Sequence, residues 1–350
     1  MKLSDFVDFN PQEHLAKGTQ ATYIAMQDLS SFSRSPNSHT LSSYNGGSKF
    51  RNGDTLMARI TPCLEHGKTA FVNCLKPNEL GFGSTEFIVG RAKPGISIPL
   101  FVYCLLISDH IRDIAIKSMT GTSGRERVQQ AALNDITIPN YSLQDQQHIV
   151  GVIGSVDDLI ELNARKIAKI MDFSRLIYSQ AKAISPMKSA GEFISFTKGK
   201  QADFVNQPTG EPYLTIDVLE GSQEVSYSAS GVECGEGDIL MVMDGAASGR
   251  CYFGYKGFVG STLSKIECKG IDSSVAFLAL EEHEKDIQKN TTGSAIPHTD
   301  KRYVSDIEIP LIKDEFTVNR LRNLLTLLVS TRKEIRTLRE EKEILMRKFF

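Results

Sequence analysis

The chain has 350 residues, of which 41% are hydrophobic and 23% charged, and a net charge of −2 at pH 7. This composition is typical of a soluble globular protein, and the length exceeds what one ordinary core supports, so we expect at least two domains. The longest apolar run, IPLFVYCLLI, has ten residues, about half of what a membrane-spanning helix needs.

The N-terminal sequence MKLSDFVDF alternates charged and apolar residues and lacks the apolar core of a signal peptide. The cysteines show neither C-x-x-C pairs nor the spacing of metal ligands, and they are Cys63, Cys74, Cys104, Cys234, Cys251 and Cys268. We therefore expect reduced thiols, no metal site and a cytoplasmic location.

Along the chain, five short phrases of the first half recur in the same order in the second half. YIAM at residue 23 becomes YLTI at 213, GD at 53 recurs at 237, and GST at 83 recurs at 260. TGT at 120 becomes TGS at 292, and DITIP at 135 becomes DIEIP at 306. The offset falls steadily from 190 to 171 residues, as expected if a second copy lost loop residues. The sequence therefore predicts a duplicated unit.

The first part of each unit is rich in predicted strands separated by glycine- and asparagine-bearing turns. The strand-like runs are LMARI, TAFVNCL and TEFIVGRA in the first copy and DILMVM and CYFGYKGFVG in the second. FVYCLLISDHIRDIAIKSM instead has helical periodicity. The repeated Gly53-Asp54 and Gly237-Asp238 are predicted to form turns that enter a strand.

The second part of each unit carries apolar residues at alternating spacings of four and three, which is typical of a coiled-coil seam. The first seam ends before Pro186, and the second follows Pro310. The seam residues are Ile149, Ile153, Val156, Ile160, Asn163, Ile167 and Ile170, and then Leu321, Leu324, Leu328, Thr331, Ile335, Leu338, Lys342, Leu345 and Phe349. Two helices of roughly 40 residues would each be about 55–60 Å long.

Such narrow apolar stripes must be buried against a partner, and the other copy's helix is available in the same chain. The alternative is that the helices pack on a globular domain as part of its core, but polar Asn163, Thr331 and Lys342 within the seams favour a helix pair. We therefore expect an α+β chain with a pseudo-two-fold repeat and an antiparallel coiled coil. Its parts would be globular domains at 1–141 and 187–311, and helices at 142–186 and 312–350.

Several phrases resemble the specificity subunits of Type I restriction-modification systems. They are FNPQE, GDTLMARITPCLEHGKTAFV, GFGSTEFIV, MTGTSGRERV, ALNDITIP and QDQQHIVGVIGSVDDLIELNARKI, with GEPYLTIDVLEG, GDILMVMDG and DIEIP as a diverged second copy. The resemblance implies that each globular part is a target-recognition domain reading half of a split site in double-stranded DNA. It also implies that the helices fix the spacer and dock two methyltransferase subunits, which restriction and translocase subunits join.

The resemblance further implies a non-catalytic subunit without a cofactor, with S-adenosylmethionine, ATP and Mg²⁺ on the partners. The residues agree, since an Asn/Asp-Pro-Pro-Tyr/Phe motif and a Gly-x-Ser-x-Gly motif are absent, and His66-Gly67-Lys68-Thr69 has Pro62 where a phosphate-binding loop needs glycine. Two alternatives stay open. One is a related system with a fused methyltransferase–nuclease partner, and the other is a coiled-coil scaffold with two protein-binding modules and no DNA role.

The strongest candidate for DNA contact is the loop that contains Thr122, Ser123, Gly124, Arg125 and Arg127. Its small residues allow a phosphate to approach the backbone, and its arginines could reach a phosphate or a guanine edge. The matching second-copy residues are Ser294, His298, Lys301 and Arg302. Further candidates, for each of which a solvated surface charge is the alternative, are Lys49, Arg51, Arg59, Lys68, Arg250 and Lys256.

The distribution of charge argues against DNA binding by the second half. Residues 1–141 contain 14 basic and 12 acidic side chains, whereas residues 189–311 contain 10 basic and 19 acidic ones. A DNA-binding domain with that excess of acid must gather its basic residues on one face, or its partners must supply the attraction for phosphates. Residues 312–350, with 10 basic and 6 acidic side chains, are mildly basic.

Overall fold

The computed structural model describes residues 1–206, 209–221, 225–293 and 296–350. The chain divides into two compact units. The first unit consists of Met1–Glu161 and Thr337–Phe350, and the second consists of Leu162–Arg336. In the described part of the chain, no helix is both long and apolar enough to cross a membrane.

The first unit begins with the elements that form its sheets. The strands are β1 (Val7–Phe9), β2 (Gln20–Ile24), β3 (Thr40–Ser43), β4 (Ser48–Phe50), β5 (Thr55–Ala58), β6 (Thr69–Phe71), β7 (Gly81–Gly83) and β8 (Phe87–Ala92). The helices are α1 (Leu3–Phe6), α2 (Pro99–Ile107), α3 (Asp109–Lys117), α4 (Gln130–Asp135) and α5 (Leu143–Lys182), of which α5 extends into the second unit.

The strands of the first unit form two sheets, ordered β1-β8-β5-β6 and β3-β2-β7-β4. The β2–β7 pair is parallel, and the other pairs are antiparallel. Every residue of β5 is buried. Because successive side chains of a strand point to opposite faces, Leu56 packs in one apolar cluster and Met57 in another.

The second unit repeats much of this order of elements, with additional strands. Its strands are β9 (Met187–Ser189), β10 (Ile194–Lys198), β11 (Phe204–Val205), β12 (Glu211–Leu214), β13 (Ser226–Ser228), β14 (Glu233–Cys234), β15 (Ile239–Val242), β16 (Cys251–Phe253), β17 (Gly257–Val259), β18 (Leu263–Cys268) and β19 (Glu308–Pro310). Its helices are α6 (Ile216–Glu220), α7 (Ser273–Glu282), α8 (Glu284–Lys289), α9 (Lys301–Asp306) and α10 (Glu315–Phe349), of which α10 extends into the first unit.

The strand order of the second unit repeats that of the first. One sheet is β10-β18-β15-β16, and another is β13-β12-β17-β14 with β11 added beside β13. The β12–β17 pair is parallel, like β2–β7. Alternate residues of the buried strand β15 again face two clusters, with Leu240 in one and Met241 in the other. The repeated phrases therefore correspond to a repeated fold, as the sequence predicts.

The repeated Gly-Asp dipeptide forms a turn at the matching place in both units, which confirms its prediction. The Asp54 carboxylate accepts a hydrogen bond from the backbone N–H of Arg51 at 2.8 Å, and Asp238 accepts one from Gly235 at 2.8 Å. Both turns lead directly into the buried strand, β5 or β15. An aspartate that bonds a nearby backbone N–H stabilises a tight turn, which explains why the pair occurs twice.

Within the first unit, both long helices contribute to the core of the globular part. Ile149 and Ile153 of α5 belong to the same cluster as the residues of α2. The C-terminal end of α10 packs there too, since Tyr141 donates its hydroxyl hydrogen to the Phe349 carbonyl at 3.0 Å. The Phe350 ring lies 5.9 Å from the rings of both Phe101 and Tyr141.

Within the second unit, the remaining parts of the helices behave similarly. Ile170 and Ile177 of α5 share a cluster with Leu321 and Leu325 of α10, and Phe277 of α7 belongs to it as well. Parts of the two helices therefore pack on each other and also on the globular parts, two arrangements that the sequence analysis had treated as alternatives. The apolar helices α2 and α7 provide surfaces that bury the stripes, and a sequence pattern alone does not identify such a partner.

Candidate nucleic-acid interface

The candidate loop of the first unit, residues 120–127, is closed by backbone pairing. Thr120 and Arg127 exchange backbone hydrogen bonds at 3.1 and 2.9 Å, and Arg127 also forms a bridge with Ile60 after β5. A Cβ on Gly121 would lie 2.8 Å from the Arg125 carbonyl oxygen, so this tight closure requires glycine. The residues at the tip, 122–125, are exposed. We call residues 120–127 the arginine loop.

The two arginines of this loop differ in how firmly they are held. Arg127 binds Glu86 through two parallel hydrogen bonds, from Nε at 3.0 Å and from Nη2 at 2.7 Å. Hydrogen bonding from Arg127 lowers the pKa of Glu86, and the same bonds raise the pKa of Arg127. Within the described residues, no hydrogen bond or ion pair holds the Arg125 guanidinium, so it is available to a partner.

Beside the loop's anchor, Arg59 lines an open cleft of about 550 Å³. The cleft is further lined by residues 10–13, 47–49, Thr85, Phe87 and Val89. The backbone N–H of Arg59 donates to the Glu86 carbonyl at 2.9 Å, so Arg59 and Arg127 both adjoin Glu86. The structure thus brings Arg59 close to the base of the arginine loop.

Lys49 and Arg51 meet at Glu13 on another part of the cleft wall. The Lys49 ammonium donates to the Glu13 carbonyl oxygen at 2.6 Å, and Arg51 pairs with the Glu13 carboxylate. Lys68 has a separate place, where its ammonium donates to the Met26 carbonyl at 3.1 Å. These three cations therefore support backbone or carboxylate groups of the domain itself.

In the second unit, the equivalent loop is closed in the same way. Thr292 and His298 exchange backbone hydrogen bonds at 2.8 and 2.7 Å, and His298 forms a bridge with Asp244 after β15. The His298 Nδ1 lies 2.7 Å from the Asp244 carboxylate. Ser294, which was predicted to contact DNA, lies outside the described residues. His298 thus occupies the place that Arg127 holds in the first unit.

The other basic candidates of the second unit are spread over different elements. Lys301 and Arg302 begin α9, and the Lys301 ammonium lies 5.5 Å from the Phe196 ring centre. Arg250 pairs with Glu220 and, at 3.6 Å, with Glu284. Lys256 is exposed. Arg250 is therefore partly neutralised by acidic neighbours.

The sequence analysis missed the acidic residues that position these arginines. Glu86 and Glu13 each hold an arginine named as a candidate. The cleft also presents Gln12 and Thr85, two exposed side chains that had not been considered. The sequence did contain a signal for Glu86, because this residue directly follows the repeated Gly-Ser-Thr phrase.

Comparison with known families relates the first part of the chain to one of the classes of protein considered above. Residues 9–172 match the family model described as the Type I restriction modification DNA specificity domain. This segment is similar to that family. The match includes the arginine loop, the cleft and strands β2 to β8 of the first unit, and it confirms the resemblance seen in the sequence.

Relatives of the specificity domain occur among known restriction enzymes. The MjaVIII specificity subunit of Methanocaldococcus jannaschii is 30% identical over 171 residues, which are 46% of this chain and 40% of that protein. The EcoAI specificity subunit of Escherichia coli is 34% identical over 105 residues, which are 30% of this chain and 18% of that protein. The matched regions thus cover less than half of each relative.

The fold also resembles a solved structure. The S subunit of the Type-I restriction-modification system from M. genitalium superposes with a TM-score of 0.57 over all of this chain and 95% of the other, at 15% sequence identity. This likeness concerns the fold, a mixture of helices and sheets, along the whole length of the chain.

Proposed function

We propose that the chain is the DNA sequence-specificity subunit of a Type I restriction-modification complex. The observation that carries this proposal is the arginine loop, whose exposed tip and free Arg125 lie in a domain of the specificity family. Small residues and a guanidinium that projects from a fixed loop suit contacts with phosphates and with base edges. Arg127, held by Glu86, would keep the loop in place during binding.

We further propose that each unit reads one half of an asymmetric split site. The two units share a strand order, but their loops carry different side chains at matching positions, with Arg127 in one and His298 in the other. A common fold with different reading groups suits two different half-sites. The excess of acidic residues between 189 and 311 suits a second domain that depends on partner subunits for attraction to phosphates.

In this proposal, residues 1–141 and 187–311 are target-recognition domains, and residues 142–186 and 312–350 form an antiparallel coiled coil that fixes the spacer. Support comes from pairs inside each unit. Lys342 of α10 binds Asp157 of α5, and Arg320 lies over the ring of Phe173. Phe173 comes after Asp157 in α5, whereas its partner Arg320 comes before Lys342 in α10. This order suits antiparallel helices. The helices would dock two methyltransferase subunits, which restriction and translocase subunits join.

The chemistry of this system would then belong to the partners. S-adenosylmethionine, ATP and Mg²⁺ would bind to them, and the methyltransferase would turn the target adenine out of the duplex. The present chain would act in the cytoplasm by fixing the register of the DNA. A fused methyltransferase–nuclease partner would require the same features here, and the neighbouring genes distinguish that arrangement.

The proposal is tested by modification-aware sequencing of the source genome with this gene intact and deleted. We expect methylated adenines at one split motif, two short blocks around a fixed gap, and their loss on deletion. If methylation is unchanged, a gel-shift assay of the reconstituted complex with specific duplex comes next. A complex that assembles but shows no preference among duplexes would contradict the proposal and favour the protein-binding scaffold.

A further inference from the structure

We propose that Arg59 is a specificity-determining residue that reads a guanine, with the edge of the base entering the cleft of the first unit. The inference rests on the proposed function and identifies one base-reading residue within it. Arg59 directly follows β5, and its backbone is held on both sides. Its N–H donates to the Glu86 carbonyl at 2.9 Å, and its carbonyl accepts from the Val128 N–H at 2.8 Å. The side chain therefore starts from a fixed position on the domain.

The guanidinium of Arg59 has unused hydrogen-bonding capacity. Its Nε is buried and has no hydrogen-bond partner among the described residues. The Glu86 carboxylate interacts electrostatically with Arg59, but both of its oxygens already accept hydrogen bonds from Arg127. Two arginines therefore adjoin one saturated carboxylate, which leaves a positive charge at the cleft. A buried donor without a partner is costly, so an acceptor on a ligand would complete this site.

The second unit has a different residue on the same backbone frame. Met243 directly follows β15, its N–H donates to the Thr262 carbonyl at 2.8 Å, and its carbonyl accepts from the Thr299 N–H at 2.8 Å. These bonds match those of Arg59. The duplicated fold thus keeps the backbone at this position and exchanges a charged, bidentate donor for a buried apolar side chain. Such a change is expected at a position that distinguishes two half-sites.

The surroundings of Arg59 favour a base edge as the ligand. The uncharged Gln12 and Thr85 line the cleft and offer further hydrogen-bonding groups, whereas Phe87 and Val89 are almost entirely buried. The Glu13 carboxylate lines the same cleft and would repel a phosphate, so the uncharged donors and acceptors of a base edge suit this lining better. Among the bases, guanine presents two acceptors, O6 and N7, at the spacing of a guanidinium fork. The exposed Arg125 is the better placed residue for a phosphate.

The test compares Arg59→Met and Arg59→Lys with the unaltered chain in the full complex. Methionine occupies the matching position of the second unit, so Arg59→Met suits this backbone, and Arg59→Lys keeps the charge without the fork. The methylated motif is read by sequencing, and binding is measured on duplexes that carry 7-deazaguanine at one position at a time. In both variants, we expect the preference for guanine over other bases to fall by about 5- to 150-fold at one position of one half-site. The other half-site and the gap should stay unchanged.

A matched control is Lys17→Met, which removes one positive charge from an exposed position of the same unit. It should keep the motif intact. A loss of affinity that is uniform over all duplexes, and that lysine restores, would mean a phosphate contact and overturn the inference. An unchanged motif in Arg59→Met would overturn it too. If the unaltered complex has no sequence preference, the proposed function fails instead, so the two failures are distinguishable.

Discussion

The ammonium of Lys342 lies 2.7 Å from the carboxylate of Asp157, and both side chains are almost entirely buried inside the first unit. Lys342 also lies 3.4 Å from the hydroxyl of Tyr103, which is itself 1% exposed. Burial raises the pKa of Asp157, and attraction to Lys342 opposes that rise. The pair joins the C-terminal part of α10 to the first part of α5 and to the adjoining core.

Breaking this ion pair should destabilise the first unit strongly. Lys342→Met leaves Asp157 buried without a partner, and we expect it to reduce the free energy of unfolding by about 3–5 kcal/mol. The double variant Lys342→Met with Asp157→Leu removes both charges and should recover most of that loss. Hydrogen exchange of residues near Asp157 measures the effect for this unit alone. A single variant as stable as the double variant would contradict the expectation.

The two Gly-Asp turns provide a matched pair of stability measurements. Asp54 is 1% exposed and binds the Arg91 guanidinium at 2.7 and 2.6 Å, so Asp54→Ala removes two hydrogen bonds from a partly buried arginine, which keeps its bond to Glu13 at 2.6 Å. We expect a loss of about 2 kcal/mol in the first unit. The Asp238 carboxylate lies 3.9 Å from the Lys265 ammonium, a weaker contact, so Asp238→Ala should reduce the free energy of unfolding of the second unit by about 1 kcal/mol. Hydrogen exchange of the backbone amides in β5 and β15 measures the two losses of stability, and equal losses would contradict this expectation.

The Glu86–Arg127 pair should make the stability of the first unit depend on acid. Hydrogen bonding from Arg127 lowers the pKa of Glu86 below its ordinary value of 4.5. A carboxyl whose pKa is lowered by folding stabilises the folded state above its ordinary pKa, and this contribution disappears as the pH falls through the lowered pKa. The unaltered protein should therefore exceed Glu86→Gln in stability at pH 7, by less than about 1 kcal/mol because the pair is partly exposed. Urea unfolding at pH 7 and below pH 4.5 should show that advantage shrinking in acid.

The two arginines of the arginine loop should differ in their effect on DNA binding. Arg125→Ala removes one free cation, and we expect about tenfold weaker binding with a salt slope reduced by about one. Arg127→Ala also frees the Glu86 carboxylate, whose negative charge repels DNA, so the loss should be larger. Binding of the full complex at several salt concentrations measures both. In Arg127→Ala with Glu86→Gln, the part of the excess loss that comes from this repulsion should be absent, and a double variant that binds as weakly as Arg127→Ala would refute the repulsion by Glu86.

The helices are proposed to determine the gap in the recognised site. Insertion of seven residues lengthens a helix by about 10.5 Å, which corresponds to about three base pairs. A heptad inserted into either α5 or α10 should change the gap and leave both half-sites unaltered. Modification-aware sequencing reads the outcome directly. If these variants retain the original gap, the helices do not act as the ruler.

The sequence pattern predicted the backbone better than the contacts of its side chains. The repeated phrases identified a repeated fold because turns, glycines and buried strands depend on local sequence. The seam spacing identified both helices, but a heptad pattern says only which face is buried. It therefore missed that the seam residues Ile153 and Leu321 also belong to the cores of the globular parts.

The candidate site was predicted only as a set of cations. The sequence did not predict that Arg59 and Arg127 both adjoin Glu86, and it does not tell which arginine is bound by a carboxylate. Glu86 lies 41 positions before Arg127 in the chain, and their contact depends on the closure of the loop by long-range pairing. Lys68 looked equivalent in the sequence, yet a backbone carbonyl holds it.

The composition of the first unit has a consequence for synthesis on the ribosome. Its core includes Phe349 and Phe350, which pack beside residues around Phe101 and Tyr141. The second unit, by contrast, is one uninterrupted segment, Leu162–Arg336. The nascent chain therefore holds all of the second unit before it holds the whole of the first. Until translation reaches the C-terminal residues, Asp157 lacks its lysine, and the apolar surface around Phe101 is open to chaperones.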